Sequence, residues 1–402
     1  MPRTFVPASF DDYRAIARRR LPRQLFEYID GGAHGELTLR ANAADLDAIR
    51  LRQLVLRNVE QVDLRTTVLG REWPVPFGLA PVGLAGMMRR RGETQAVRAA
   101  NAAGVTWCLS TVGLCSIEEV AGAASAPFWF QLYMMRDRGF VAELIARAKA
   151  ARCEALVVTV DLAVPGLRFR DTRNGMTGGL SAGGTLAVNL ERASRLAWIA
   201  DVVLRGGPLV FGTLAAKLPE AKSLPEFHDF VRRNFDPTVT WQDIDWIRSQ
   251  WDGPLVIKGV MDPEDARAAV SAGAQAIVVS NHGGRQLDSA PSTIAALPAI
   301  ADAAGDRLDV LVDGGIRGGL DVMKALACGA RAALMGRAWV FALAAMGEAG
   351  VARLLESTRN ELRVSLALAG IDSARKVGRD SLFQAGEAAA PWPPVSTSPR
   401  AG

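Results

Sequence analysis

The sequence is poor in cysteine, and the four it has are Cys108, Cys115, Cys153 and Cys328, without CxxC or CxH spacing. This scatter argues against a disulfide framework or a zinc site and is typical of a reducing compartment. No apolar run reaches the roughly 18 residues that cross a bilayer, and the N-terminal stretch lacks the apolar core of a signal peptide. We therefore expect a cytoplasmic protein, or a peripheral one on the cytoplasmic face of the inner membrane.

Lysine is also scarce, because only six of the 47 basic residues are lysines and arginine carries most of the net charge of +5. Such a charge suits an anionic membrane surface or small acidic substrates, although arginines spread over a solvated surface are the simpler interpretation. No basic run is interleaved with aromatic residues, which argues against a nucleic-acid partner. No GxGxxG follows a first strand, so a Rossmann nicotinamide site is not indicated.

What the chain does contain is a repeat of apolar, β-branched runs alternating with amphipathic stretches. Continuous apolar runs predict strands buried on both faces, and the stretches between them predict the crossover helices of a parallel sheet. Eight such units predict an α/β fold, a closed (β/α)8 TIM barrel. The eight predicted strands are 75–83, 106–111, 128–133, 155–161, 254–260, 276–284, 309–315 and 332–337.

Three segments lie outside the repeat. Residues 1–60 predict an N-terminal helical cap that belongs to a single domain spanning 1–383. A long insertion after the fourth strand, about 175–240, exceeds the usual connection of about 2 to 6 residues and is therefore expected to be functional or disordered. The segment 384–402 has the Pro, Ser and Ala content of a disordered tail.

Polar residues end nearly every predicted strand, where a packed core would not choose them. In a barrel these ends meet at the C-terminal mouth, which is where active sites of this fold lie. A single strand-end Ser or Thr is usually a turn or cap residue, but seven strands with polar ends favour a site. These residues are Ser110, Thr111, Gln131, Tyr133, Thr159, Asp161, Lys258, Ser280, His282, Arg285, Asp313, Arg317, Gly336 and Arg337.

Three of these residues suggest redox chemistry. Lys258 is a cation inside an apolar strand and suits a cofactor that becomes anionic on reduction, unless it snorkels to the rim. His282 precedes two glycines that expose its imidazole in the mouth, so it is a candidate base rather than a structural histidine. Asp161 is a candidate to orient that imidazole, or else it caps a turn.

Two further groups suggest what is bound. Arg285 and Arg168 are planar donor forks that suit the carboxylate of a small organic acid, although a surface ion pair is an alternative for Arg168. The glycine turns at 314–315 and 336, with Arg317 and Arg337, resemble the phosphate site of barrels after strands seven and eight.

At this point the sequence resembles the FMN-dependent α-hydroxy-acid dehydrogenase family, and within it the quinone-linked L-lactate dehydrogenase branch. The similarity extends to about residue 383 and rests on FEYIDGGA, WFQLYMMRDRGF, TVDLAVPGLRFRD, SNHGGRQLD and DGGIRGGLDVMKA. SNHGGRQLD is highly specific to the family, and TVDLAVPGLRFRD favours the lactate branch over the mandelate branch. The sequence departs from the family pattern in the insertion after Met176 and near His34.

The resemblance implies oxidation of an L-2-hydroxy acid, L-lactate first among them, with electrons passed through FMN to a membrane quinone. It implies that His282, Asp161 and Lys258 are catalytic, and that Tyr28, Tyr133, Arg168 and Arg285 hold the substrate. The FMN-binding residues that it implies are Ala80, Pro81, Val82, Gly83, Ser110, Gln131, Thr159, Lys258, Ser280, Asp313, Gly314, Gly315, Arg317, Gly336 and Arg337. It also implies a homo-tetramer.

Three alternatives stay open: a soluble, peroxide-forming 2-hydroxy-acid oxidase, an L-mandelate-type dehydrogenase, and a flavin-binding module without turnover. Hydride and carbanion routes are equally compatible with the sequence. The apolar stretch 196–217 contains Asp201, Arg205 and a GGP break, so it is too interrupted to span a bilayer. With Arg192, Arg195, Lys217 and Lys222 nearby, it is either an interfacial membrane contact or a lid.

Overall fold

A computed structural model describes residues 6–207, 209, 211–215, 226, 230–231 and 233–383. The predicted tail, 384–402, lies outside the described residues. The strands are β1 (Thr66–Val68), β2 (Arg71–Trp73), β3 (Phe77–Leu79), β4 (Cys108–Ser110), β5 (Trp129–Tyr133), β6 (Leu156–Thr159), β7 (Leu255–Val260), β8 (Ala276–Val279), β9 (Asp309–Val312) and β10 (Ala332–Met335).

The eight strands β3 to β10 form one parallel sheet in the order β3-β10-β9-β8-β7-β6-β5-β4. A parallel bridge between Leu79 and Trp107 joins its two edges. The sheet therefore has the predicted (β/α)8 barrel form, with each of its eight strands lying inside a predicted apolar run.

Alternate residues of each strand point into the barrel, because successive side chains of a strand face opposite ways. Val157, Val256, Val278 and Leu311 belong to one buried cluster that fills the interior. The antiparallel hairpin β1–β2, which the sequence analysis did not anticipate, adds Trp73 to this cluster. The hairpin therefore helps to close the end of the barrel opposite the mouth.

Helices surround the barrel and form a second core with the outward faces of the strands. Gly104, Gly273 and Gly329 each end a helix region with positive φ, as expected for left-handed C-caps. The helices are α1 (Phe10–Arg20), α2 (Arg23–Asp30), α3 (Leu37–Ala48), α4 (Ala85–Met88), α5 (Gly92–Ala102), α6 (Ile117–Ala123), α7 (Arg138–Ala150), α8 (Phe169–Arg173), α9 (Ala182–Ala193), α10 (Leu196–Trp198, continued by a π-turn Ile199–Val203), α11 (Trp241–Gln250), α12 (Pro263–Ser271), α13 (Thr293–Ala304), α14 (Gly319–Ala327), α15 (Arg337–Met346) and α16 (Glu348–Leu368). Short 3₁₀ turns occur at Gly212–Leu214, Ala374–Lys376 and Arg379–Ser381.

The first part of the insertion is attached to the N-terminal cap by polar contacts. The Gln24 side chain donates to the Asn174 carbonyl at 2.6 Å, and Asn174 donates to Glu27 at 2.8 Å. Further along, Arg20 pairs with the buried Asp201 at 2.7 Å. The cap and the described part of the insertion therefore form one wall beside the mouth of the barrel.

Candidate active site

A cavity of about 780 Å³ opens at the C-terminal ends of the barrel strands. Its size suits a cofactor together with a small substrate, since ligand pockets commonly measure about 300 to 1,000 Å³. The predicted site residues that line it are Tyr28, Ala80, Pro81, Val82, Gly83, Tyr133, Thr159, Arg168, Lys258, His282, Arg285, Asp313, Gly314, Gly315, Arg317, Gly336 and Arg337. Asp161 and Ser280 contact the lining residues His282 and Lys258, and Ser110, which bonds to Gln131, accepts from the main chain of the lining residue Val112.

Strand periodicity explains why these polar side chains face the cavity. Thr159, Lys258, Ser280 and Asp313 each lie two residues after an inward-facing apolar residue, so they share its face. Neighbouring strands then bring them together, as in the pairing of Thr159 with Lys258. The C-terminal mouth of the barrel therefore has a continuous polar lining.

The imidazole of His282 is held by Asp161. Its Nδ1 lies 2.9 Å from Oδ1 of Asp161, which leaves Nε2 as the nitrogen available for chemistry. His282 itself has φ of 57°, and the two glycines after it also have positive φ, so the expected tight turn is present. Gly259 permits the pairing, because a Cβ there would lie 2.6 Å from Cβ of Asp161.

Neighbouring groups keep the carboxyl group of Asp161 ionised. Burial alone would raise the pKa of Asp161, but His282 and Lys258 lower that pKa below its ordinary value. An ionised Asp161 stabilises the imidazolium form of His282, so the pair suits a base that receives a proton.

Lys258 is a buried cation with two partners. Its Nζ lies 2.8 Å from Oδ2 of Asp313 and 2.7 Å from Oγ of Ser280. Burial would lower the pKa of Lys258, but Asp313 and Asp161 raise it above its ordinary value. The side chain is 5% exposed, so Lys258 supplies a permanent positive charge inside the barrel and does not snorkel to the rim.

Two guanidinium groups flank the ring of Tyr28. That of Arg285 lies 4.7 Å from the ring centroid and that of Arg168 lies 5.8 Å from it. Arg285 also donates to the main-chain carbonyls of Tyr28 and Gly31, which anchors it to the cap. Burial and the nearby Arg168 lower the pKa of Arg285 to about 10, although Asp171 opposes this shift. Burial also raises the pKa of Tyr133, so its phenol stays a hydrogen-bond donor.

The opposite end of the cavity has the features expected for a phosphate group. Helix α15 begins at Arg337, and Gly336 is its N-cap, so free main-chain N–H groups face the cavity. Arg317 lies over the ring of Phe10 at 4.8 Å. Arg337 donates to three carbonyls, those of Ile29, Gly31 and Gly283, so its side chain also fastens the cap to the barrel.

The glycines at 314 and 315 have a packing role that the sequence analysis missed. Both have positive φ, and a Cβ on Gly315 would lie 2.2 Å from the Asn42 carbonyl oxygen. Glycine at these positions therefore lets helix α3 reach the mouth, in addition to presenting main-chain amides.

Buried polar atoms without hydrogen-bond partners indicate whether the site fits FMN. Among the described residues, Gln131 Nε2, Thr159 Oγ1 and Asp313 Oδ1 are buried without a hydrogen-bond partner. Buried polar groups are normally satisfied, so several such atoms at neighbouring strand ends indicate a polar ligand. A flavin has the ring carbonyls, ring nitrogens and ribityl hydroxyls to satisfy them, and the residues present fit FMN.

Several residues that sequence reasoning missed also hold the site together. Asn281 Oδ1 accepts from the main chain of Gly284 at 3.0 Å and from Asn42, which stabilises the His282 turn. Gln286 donates to the Asp161 carbonyl at 3.0 Å. Both lie within SNHGGRQLD, so their proximity to His282 was the available signal. Asp171, a buried acid in the cavity wall, ends the stretch TVDLAVPGLRFRD, so its proximity to Arg168 was the available signal there.

A TIM barrel with these residues around one cavity defines a flavin-dependent oxidoreductase. A family model described as FMN-dependent dehydrogenase matches residues 17–384. The chain belongs to the FMN-dependent dehydrogenase family and is an FMN-dependent enzyme, as the sequence resemblance predicted.

Individual relatives agree with this assignment. The chain is 53% identical over 377 residues to an L-lactate dehydrogenase of Caulobacter sp. (strain K31), covering 94% of this chain and 98% of that protein. It is 52% identical over 373 residues to an L-lactate dehydrogenase of Pseudomonas aeruginosa (strain LESB58), covering 93% and 97%. Among solved structures, the monotopic membrane protein (S)-mandelate dehydrogenase matches with a TM-score of 0.88 and 32% identity, covering 94% of this chain and 100% of that one.

Proposed function

We propose that this protein oxidises L-lactate to pyruvate and passes the electrons to a membrane quinone. The observation that carries the proposal is the His282–Asp161 pair at 2.9 Å, at a cavity that Lys258, Arg168 and Arg285 also line. The identity of about half its residues to proteins named L-lactate dehydrogenase supports this substrate within the 2-hydroxy acids.

In the proposed mechanism, Arg285 and Arg168 bind the substrate carboxylate, and the phenols of Tyr133 and Tyr28 orient its hydroxyl group. Nε2 of His282 removes one proton, and Asp161 stabilises the imidazolium that results. When bound, FMN would supply the acceptor for the two electrons and the second proton that leave the substrate. Lys258 places a positive charge where negative charge develops. The surrounding residues Ser110, Gln131, Thr159, Ser280 and Asp313 hold the flavin.

The guanidinium of Arg285 gives the first prediction. Arg285→Lys should raise KM for L-lactate about tenfold and lower kcat, because a point charge cannot form two parallel hydrogen bonds to a carboxylate. The measurement is steady-state kinetics with an artificial electron acceptor. Arg170→Lys is a matched control, since Arg170 pairs with Asp30 and Glu36. Equal kinetics for Arg285→Lys and the unchanged protein would place Arg285 outside the substrate site.

The electron acceptor separates the proposal from a peroxide-forming oxidase. We expect lactate-dependent reduction of a short-chain ubiquinone analogue to be far faster than oxygen consumption by the same preparation. Rapid oxygen uptake with stoichiometric hydrogen peroxide would favour the oxidase.

A homo-tetramer is part of the proposal and is tested by light scattering of the holoenzyme. Turnover itself distinguishes either enzyme from a flavin-binding module, and relative rates with L-mandelate distinguish a mandelate-type enzyme.

A peripheral membrane contact through the insertion is part of the same proposal. Among the described residues, no helix is long and apolar enough to cross a membrane. Instead the insertion exposes leucines, with Leu186 and Leu190 on one face of α9 and Leu196 and Leu204 beyond it. The structural neighbour described as a monotopic membrane protein supports this contact. Lys217 and Lys222, which the sequence analysis included, lie outside the described residues.

Replacing these exposed leucines tests the membrane contact. Leu196→Asp with Leu204→Asp should abolish sedimentation with anionic vesicles and slow quinone reduction, because burial of apolar surface is lost and negative charge is added. Flavin reduction by L-lactate should stay normal. Leu56→Asp with Leu368→Asp, at exposed leucines outside the insertion, is the control. If the unchanged protein ignores such vesicles at low salt, the insertion is better explained as a lid.

A further inference from the structure

A buried carboxyl group lies beside the two arginines of the proposed substrate site. Asp171 lies on α8, is 2% exposed and lines the cavity that contains Arg168 and Arg285. Its Oδ2 lies 3.7 Å from Nη1 of Arg168 and is a buried atom without a hydrogen-bond partner among the described residues. A charged group in this position needs an explanation, because burial of an acid is costly.

A structural role does not account for this side chain. The turn that follows α8 is held by the main chain, since the Asp171 carbonyl accepts from the Met176 amide at 2.8 Å. Arg168 lies too far from the carboxylate for a close hydrogen-bonded pair. The carboxylate therefore acts on its surroundings mainly through its charge.

The charges of Asp171 and its two arginine neighbours do not balance one another without a ligand. Arg168 and Arg285 contribute two positive charges, and Asp171 contributes one negative charge. The pKa of Asp171 is raised above its ordinary value by burial, with a smaller contribution from Glu27, and Arg285 and Arg168 offset only part of that rise. One positive charge remains, which a single carboxylate would neutralise. A ligand with a second negative charge would face Asp171 without a counter-charge.

We infer that Asp171 is a specificity-determining residue, which sets the substrate site to accept an acid with one carboxylate and to disfavour a dianion. This inference rests on the proposed function, because it takes Arg168 and Arg285 as the carboxylate-binding groups. Asp171 contacts neither the reacting atoms nor the cofactor. Its negative charge offsets one of the two positive charges of Arg168 and Arg285.

A pair of nearly isosteric probes measures this selectivity. Oxamate has one negative charge, and oxalate has a second carboxylate in place of the oxamate amide. Their dissociation constants are measured from changes in the visible spectrum of the bound flavin, with no turnover needed. Asp171→Asn should shift the binding ratio about tenfold in favour of oxalate, since removal of a nearby like charge favours the dianion. Asp171→Glu should keep the original ratio.

Matched variants distinguish charge from structure. Asp201→Asn also neutralises a buried aspartate of the insertion that pairs with arginines, but Asp201 does not line the cavity, so the ratio should not change. A loss of affinity for both probes alike in Asp171→Asn would show a structural role and overturn the inference, as would an unchanged ratio. If Asp171→Asn fails to retain FMN, Asp171→Glu is the deciding variant. A changed ratio of oxalate to oxamate binding in Asp171→Glu would contradict the inference, because the charge at position 171 is unchanged. Failure of the unchanged protein to bind oxamate would instead contradict the proposed function.

Discussion

Replacing His282 with alanine should lower turnover by several orders of magnitude while the protein keeps its yellow cofactor. Positioned proton transfer contributes about 10² to 10⁴ to a rate, and here it is coupled to removal of two electrons from the substrate. The flavin should be retained, because the other predicted FMN-binding residues are unchanged. Stopped-flow reduction of the flavin by L-lactate measures the step directly.

Two further variants make this result interpretable. His282→Asn tolerates the left-handed backbone found at position 282, so it separates loss of the base from strain in the turn. His34→Asn removes an exposed histidine that stacks on Phe169 and also has positive φ, and it should leave reduction unchanged. Flavin reduction in His282→Asn at a nearly normal rate would remove His282 from the mechanism.

Replacing Lys258 with methionine should weaken FMN retention or slow flavin reduction by about 10² to 10³. Lys258 is the partner of Asp313, and it is the positive charge proposed to stabilise the reduced flavin, so its removal leaves like charges together in a buried site. Flavin content after gel filtration and stopped-flow reduction measure the two outcomes.

The chain offers a close control for this variant. Lys324 is a similarly buried lysine, 6% exposed, whose Nζ donates to the Leu46 carbonyl at 2.8 Å, away from the cavity. Lys324→Met should lower thermal stability without changing flavin reduction. Full flavin content and normal reduction in Lys258→Met would contradict the proposed role of Lys258.

The barrel and most of its mouth were predictable, because both depend on short-range patterns. Two-residue periodicity places a strand-end residue such as Lys258 on the same face as Val256. Parallel strands then collect these ends at one edge. The strand boundaries agree closely for the same reason: 128–133 was predicted and the structure has Trp129–Tyr133.

Features that depend on long-range packing were not predictable. The strands of the hairpin β1–β2 have three residues each, which is too short for a periodic signal in the sequence. The role of the hairpin becomes clear only from the packing of the Trp73 side chain in the barrel interior. Arg337 was predicted from its position to face a phosphate, but the sequence has no signal for the three carbonyls of distant segments that it binds. Asp171 follows Arg168 by three residues in the sequence, but its proximity to Arg285 arises only on folding.

Anaerobic addition of hydroxy acids to the purified holoenzyme tests the central claim most directly. The flavin absorbance near its visible maximum should bleach on addition of L-lactate, and more slowly or not at all with D-lactate and L-mandelate. His282→Asn, with the same flavin content, should fail to bleach on the same time scale. If the flavin of the unchanged protein stays oxidised with L-lactate and every other 2-hydroxy acid of the panel, the proposed function is wrong.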